Sequence, residues 1–194
     1  MHNSISQQVD PNEHFFFALQ PPLTARAVMV EQLDRVVREH ALGGRSVRFG
    51  DLHVALCGVG RTARPREAVL PVLRSAAQSV RAAPVEVSFD RLTSFRLGGH
   101  SHALVLRGTS TTCTALRFLR TAIGHAQYAQ GLYQPAASRF EAHVTLRHMT
   151  QPMAAEIALE AITWQAQEFV LMRSVAGHGV HEVVERWPLE PDSR

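Results

Sequence analysis

Two five-residue stretches of this chain, Leu52-His53-Val54-Ala55-Leu56 and Ala142-His143-Val144-Thr145-Leu146, set a histidine into the same frame of apolar and β-branched residues. Such a frame favours an extended strand, whose side chains alternate between two faces. Period two puts His53 with Ala55, and His143 with Thr145, on one face each. Val54, Leu56, Val144 and Leu146 point the other way and can fill a core. An unperturbed imidazole titrates near ~6.5, so at neutral pH one histidine can accept a proton while another gives one. Two such strands, one from each half of the chain, suit a cleft with a base on one wall and an acid on the other.

The surrounding elements must hold those strands. Residues 14–19 read as a strand stopped by Pro21-Pro22. Thr24 is placed to cap a helix whose stripe, Met29, Leu33, Val36, Val37 and Ala41, ends at Gly43-Gly44. A short strand, 46–49, leads into the His53 strand, which Gly58 and Gly60 close. Pro65 suits the first turn of a second helix running to about Arg81; Pro71 in its interior would cost up to ~3 kcal/mol and argues for a later start. Residues 85–97 and 103–107 form a hairpin around Gly98-Gly99. Thr111 or Thr112 caps a third helix, residues 127–138 form a loop, and 140–148 make the His143 strand. Residues 155–162 read as a short helix, and 169–175 with 180–186 as a closing hairpin around Gly177-His178-Gly179.

Helices are too few, and hairpins too many, for a doubly wound parallel sheet. The order predicts an α+β fold of two antiparallel sheet lobes with helices on their outer faces. The half-chain spacing of the histidine strands suggests an internal duplication, hence a pseudo-twofold with a central cleft. One bilobal domain is expected over 1–194, with loose tails at about 1–12 and 190–194.

Hydrophobic residues make up 45% of the chain at a mean hydropathy of −0.07, the balance of a water-soluble globular protein. No apolar run approaches a membrane span, and the first residues lack the pattern of a signal peptide. All 20 basic residues are arginine. Genomic base composition explains that simply, although arginine is also the better phosphate ligand because its planar fork bonds oxygens two at a time. Cys57 and Cys113 lie far apart without a Cys-x-x-Cys partner, which excludes a disulfide framework and points to a reducing cytoplasm.

On these residues the chain resembles the 2H phosphoesterase superfamily, and within it the 2′-5′ RNA ligase family, whose better-defined activity is RNA 2′,3′-cyclic phosphodiesterase. The two His-x-Thr-x motifs of that superfamily are similar to His53-Val54-Ala55-Leu56 and His143-Val144-Thr145-Leu146. Phe15 to Pro22, Val47 to Leu52, Phe89 to Phe95, Phe169 to Ser174 and Glu182 to Leu189 resemble the family's opening strand, motif lead-in, mid-chain strand and closing hairpin. Two positions depart from the family: Ala55 stands where it has Thr or Ser, and His148 stands where it often has Arg, two residues beyond Leu146.

The resemblance implies that His53 and His143 are the catalytic acid and base, in an order the sequence leaves open, and that the product is a 2′-phosphate. Thr145 would donate its hydroxyl to a phosphate oxygen, and Arg147, on the same face of a regular strand, would add charge. Neither a metal nor another cofactor is needed when histidine protonates the leaving oxygen. Expected partners are RNA with a 2′,3′-cyclic phosphate end or a small cyclic nucleotide, bound by a monomer without a membrane. The family name implies 2′-5′ ligation as a side activity. The competing reading is a nucleotide- or RNA-binding module with catalysis weakened at Ala55.

Other histidines and aromatics have plainer readings. His100 and His102 fall at a hairpin edge without a third metal ligand. His178 and His181 flank a Gly-rich turn and are expected in solvent. Phe15-Phe16-Phe17 belongs to a sheet core, with room for one ring in the cleft. Arg35, Arg38, Arg74 and Arg117 read as a solvated helix face.

Overall fold

The computed structural model describes residues 13–59, 66–132, 140–175 and 180–191. In chain order the elements are β1 (Glu13–Leu19), α1 (Leu23–Glu39), β2 (Arg45–Ser46), a 3-10 turn (Phe49–Asp51), β3 (Val54–Gly58), α2 (Arg66–Ser79), β4 (Val85–Gly98), β5 (Ser101–Gly108), α3 (Ser110–Ala129), β6 (His143–Met149), β7 (Ile157–Ala166), β8 (Glu168–Val175) and β9 (Val180–Pro188). The strands run β7-β4-β5-β6-β3-β1-β8-β9, with β2 also on β6. Every pairing among the described residues is antiparallel.

This is the expected α+β architecture, with one feature the sequence did not reveal. The two lobes, β7-β4-β5-β6 and β3-β1-β8-β9, are joined in one sheet, among the described residues, by a single β3–β6 residue pair, Val54 with Val144. The helices lace across that seam. α1, which follows β1, packs on β6 and β7 of the other lobe, and α3, which follows β5, reaches β3. One apolar core therefore continues beneath both lobes, with Phe17, Leu52, Val54, Phe89, Leu106, Val144 and Phe169 all at most 1% exposed. The opposite face of the sheet is left for the histidines.

Several elements differ from the sequence expectation. Residues 155–162 fall largely in a strand, β7, because β4 needs a partner from Val85 to Leu92, and that pairing overrides the local helix propensity. The α1 cap is Pro22, not Thr24; its fixed φ of −62° sets the chain before the helix without any side-chain bond. The α3 cap is Thr109, just ahead of the expected threonines, and its hydroxyl accepts from the Thr112 N–H. α2 runs straight through Pro71, which lies on its exposed face. The short 46–49 strand is two residues, Arg45–Ser46, and then a 3-10 turn. Residues 133–138 of the expected loop, the Gly177-His178-Gly179 turn, Gly60, Pro65 and most of the expected tails lie outside the described residues.

Gly44 shows how tightly the chain is drawn against the end of β6. It adopts φ +104°, and a Cβ there would lie 2.1 Å from the His148 carbonyl oxygen. Gly44→Ala therefore meets both backbone strain and a clash with main chain. It should destabilise the fold by about 1–3 kcal/mol in urea unfolding at constant m. Unchanged stability would show that β2 is free to move off β6.

Candidate active site

The site grows from the Val54–Val144 pair. Both side chains are fully buried, so the residues flanking them in each strand must turn to the other face. Continuing the register by one residue sets His53 opposite Thr145 and Ala55 opposite His143. The two histidines are then diagonal neighbours, about 7–8 Å apart at the backbone. That spacing suits two imidazoles reaching one phosphate.

The rings are held in matching ways. His53 Nδ1 lies 2.7 Å from the Asp51 carbonyl, and His143 Nδ1 lies 2.8 Å from the Glu141 carbonyl. A carbonyl only accepts, so each Nδ1 carries the proton and each Nε2 is left for chemistry. An aromatic ring backs each one: Phe16 is 5.0 Å from His53, and Phe95 is 5.1 Å from His143. Phe16 is thus the ring of the Phe15–Phe17 run that faces the cleft, while Phe17 is core.

Asp51 is 3% exposed, and its carboxylate takes a bidentate bond from Arg48 at 2.6 and 3.1 Å. It also accepts the His181 backbone N–H at 3.3 Å. These bonds fix the turn that aims the Asp51 carbonyl at His53. The analogue ahead of β6 is weaker: Glu141 meets Arg107, the residue paired with His143 on β5, at 3.3 Å.

Two placements correct the sequence reading. Arg147 is not on the His143–Thr145 face. β6 pairs Thr145 with Val105 but Arg147 with Leu104, so one extra residue is fitted in and the alternation resets. The Arg147 guanidinium bonds the Leu42 and Gly43 carbonyls at 3.2 and 2.8 Å and the Ser46 hydroxyl at 2.7 Å. It clamps the α1–β2 connection. His148 pairs with Ala103 and takes the place on the cleft face that a regular strand would give Arg147.

The second correction is His181, expected in solvent. It is half-buried, and its ring centroid is 4.9 Å from that of His53 and 5.7 Å from that of Phe16. One signal could have found it: period two from Val183, across from the buried Met172, brings His181 to the same face. The carbonyl anchors had no such signal, since the Asp51 and Glu141 acceptors are main-chain oxygens that any residue carries. His100, in contrast, is exposed in the β4–β5 turn, and among the described residues no three potential ligands form a metal cluster. Cys57 is no nucleophile, since burial pushes its thiol up to about 12.

Fold and site together define the 2H phosphoesterase class, two lobes that each bring one histidine strand to a shared cleft. The sequence matches the 2′-5′ RNA ligase superfamily over residues 20–177, and the chain belongs to that family. No curated protein matches it. Among solved structures it is similar to one described as a phosphoesterase (20% identity, 92% of this chain and 99% of that one, TM-score 0.71). It is also similar to E. coli LigT complexed with ATP (19% identity, 92% and 98%, TM-score 0.70) and to TT0787 of Thermus thermophilus (21% identity, 92% and 99%, TM-score 0.70). Family membership supports phosphodiesterase- or ligase-type activity. No described helix is long and apolar enough to cross a membrane.

Burial pushes the His53 imidazole down to about 4; His181 and His143 push the same way, against the ring's bond to the Asp51 carbonyl. His53 is therefore neutral at pH 7. Unfolded histidine titrates near ~6.5, so between that value and about 4 the unfolded chain binds more protons than the folded one. Stability should fall as pH drops through this window, by on the order of 3 kcal/mol from His53. His53→Asn keeps a donor for the Asp51 carbonyl but does not titrate, and should show a shallower loss in urea unfolding between pH 7 and 4. Equal pH slopes for the two proteins would refute the burial argument.

Proposed function

We propose that this protein is an RNA 2′,3′-cyclic phosphodiesterase that opens the cyclic phosphate to a 2′-phosphate without a metal. The observation that carries this reading is the matched pair of imidazoles. Each is anchored through Nδ1 to a carbonyl two residues earlier, with no bond to Nε2 among the described residues, on either side of one seam.

The roles follow from the environments. His53, neutral when the cleft is empty, accepts a proton from water at Nε2 as the water oxygen attacks phosphorus. The P–O3′ bond breaks, and His143, protonated at Nε2, gives its proton to the leaving O3′. The Thr145 hydroxyl donates to a non-bridging oxygen. A bound phosphate places negative charge beside His53 and raises its proton affinity, so the base strengthens when substrate is present. The same step with the 5′-hydroxyl of an RNA in place of water forms a 2′-5′ phosphodiester, the side activity in the family's name.

RNA ends and small cyclic nucleotides both satisfy this chemistry. The nucleotide in the LigT structure, a protein of similar fold, supports a nucleotide ligand here. Cys57 and Cys113 are both free thiols, which fits action in a reducing cytoplasm.

His53→Ala and His143→Ala should each lower kcat/KM on a nucleoside 2′,3′-cyclic monophosphate at least ~10²-fold while leaving the unfolding midpoint near that of the parent. Activity should persist in EDTA, and phosphorus NMR should find the product phosphate on O2′. Turnover surviving in the double variant would sink the assignment. Nucleotide binding without turnover in the parent would favour the binding-module reading that Ala55 suggests.

A further inference from the structure

The two halves of the cleft are not equally supplied with donors. The β6 motif brings His143 and a hydroxyl, Thr145; the β3 motif brings His53 and the methyl group of Ala55. A phosphate held between them would be bonded from the β6 lobe and left short on the β3 lobe. His181 is the polar side chain of the β3 lobe that packs directly on His53.

We propose that His181 is a substrate-binding residue that donates from Nε2 to the phosphate, supplying for the β3 lobe the hydrogen bond that its motif lacks. This rests on the reading of the cleft as a phosphodiesterase site and adds a residue to it.

Four observations carry the assignment. The ring is held in place: its backbone N–H is on the buried Asp51 carboxylate, and its edge meets Phe16 at 87°. It lies against the catalytic imidazole, at a centroid distance of 4.9 Å, so a phosphate reached by His53 Nε2 is within reach of His181. Its Nδ1 is buried without a hydrogen-bond partner among the described residues. Stranding a bare ring nitrogen there costs less than stranding an N–H, since unpaired buried donors are the rarer case. The single proton of the neutral ring therefore belongs on Nε2, which makes no hydrogen bond to any described residue. Finally, burial lowers the proton affinity of the His181 ring, consistent with a neutral donor at pH 7.

The pairing with Ser174 across β8–β9 explains why β9 can deliver this residue. Val183 and Met172 pack with Ala18, Val170 and Phe16 in a small apolar cluster on the cleft side of this lobe. Two residues nearer the hairpin end, the same face reaches past that cluster to His53.

The test separates donor from packing. His181→Phe keeps an aromatic ring against Phe16 and His53 but removes the donor; His181→Gln offers an amide N–H near the position of Nε2. The expected result is a ~10-fold or greater fall in kcat/KM for His181→Phe on a nucleoside 2′,3′-cyclic monophosphate, with His181→Gln within a few-fold of the parent. Inorganic phosphate, titrated by calorimetry, should bind the parent and His181→Gln more tightly than His181→Phe. Ala55→Thr should raise kcat/KM more in the His181→Phe background than in the parent, because the new hydroxyl then answers an unmet need. Equal kcat/KM and equal phosphate affinity in His181→Phe and the parent would overturn the proposal. So would equal losses in His181→Phe and His181→Gln, which would mark a purely packing role. Should the parent bind phosphate but turn over no cyclic nucleotide, the enzymatic reading fails while the phosphate titrations still decide the role of His181.

Discussion

The geometry of this protein depends on one backbone pairing, Val54 with Val144. Among the described residues it is the single point at which the two lobes join as a sheet, and the four motif residues flank it. Because strand side chains alternate with period two, a slip of one residue in β3 or β6 would send a histidine into the core and a valine into the cleft. Just ahead of β3 the same segment is tied to β6 by the β2 pairing and by the Val47 N–H on the Leu146 carbonyl at 2.8 Å. The register is held as well by what lies beneath, where Val54, Leu56, Val144 and Leu146 are buried in a core that α1 and α3 cover from opposite lobes. The crossed helices make the register of the seam a property of the whole hydrophobic core.

The charge pattern above the seam follows from the same arrangement. His53, His143, His148 and His181 come from three strands or their edges, and the nearby carboxylate of Asp51 is buried and satisfied by Arg48. The imidazoles disfavour one another's protonation, as the effects of His181 and His143 on His53 show, while the Asp51 carboxylate acts the other way on both His53 and His181. The phosphate proposed to bind here would relieve that conflict. Burial is the largest cause of the lowered proton affinity at both His53 and His181, and neighbouring positive groups add to it.

Most of this frame was legible in the sequence because period-two alternation around Val54 and Val144 is a local signal. The matching of the two histidine strands follows from it; the hairpins were marked by their own alternation and glycine turns, and the antiparallel class by the number of hairpins. What escaped depends on contacts distant in sequence. The β7 segment, Ala-rich and helix-prone, is a strand because β4 lacks another neighbour there. Arg147 and His148 exchange faces because one extra residue is fitted against β5, and no local propensity marks that bulge. His181 lies 128 residues from His53 in sequence and meets it because β8 pairs with β1 along its length and carries β9 beside it.

The pseudo-twofold symmetry would by itself be a poor design for acid–base catalysis. Two histidines in identical settings would share one proton affinity, and the productive state, one neutral and one protonated, would have no fixed polarity. The structure breaks the tie on one side. His53 packs between Phe16 and His181 above a buried Asp51, while His143 meets Phe95 and the solvent-facing Glu141–Arg107 pair. The burial that holds His53 neutral suits it to the acceptor role proposed for it above, with donation left to His143 in that proposal. In this view the residue that crowds His53 and the residue that answers for the missing Ala55 hydroxyl are one and the same. The loss of a donor from the first motif and the arrival of an imidazole from the last hairpin are two sides of one asymmetric site.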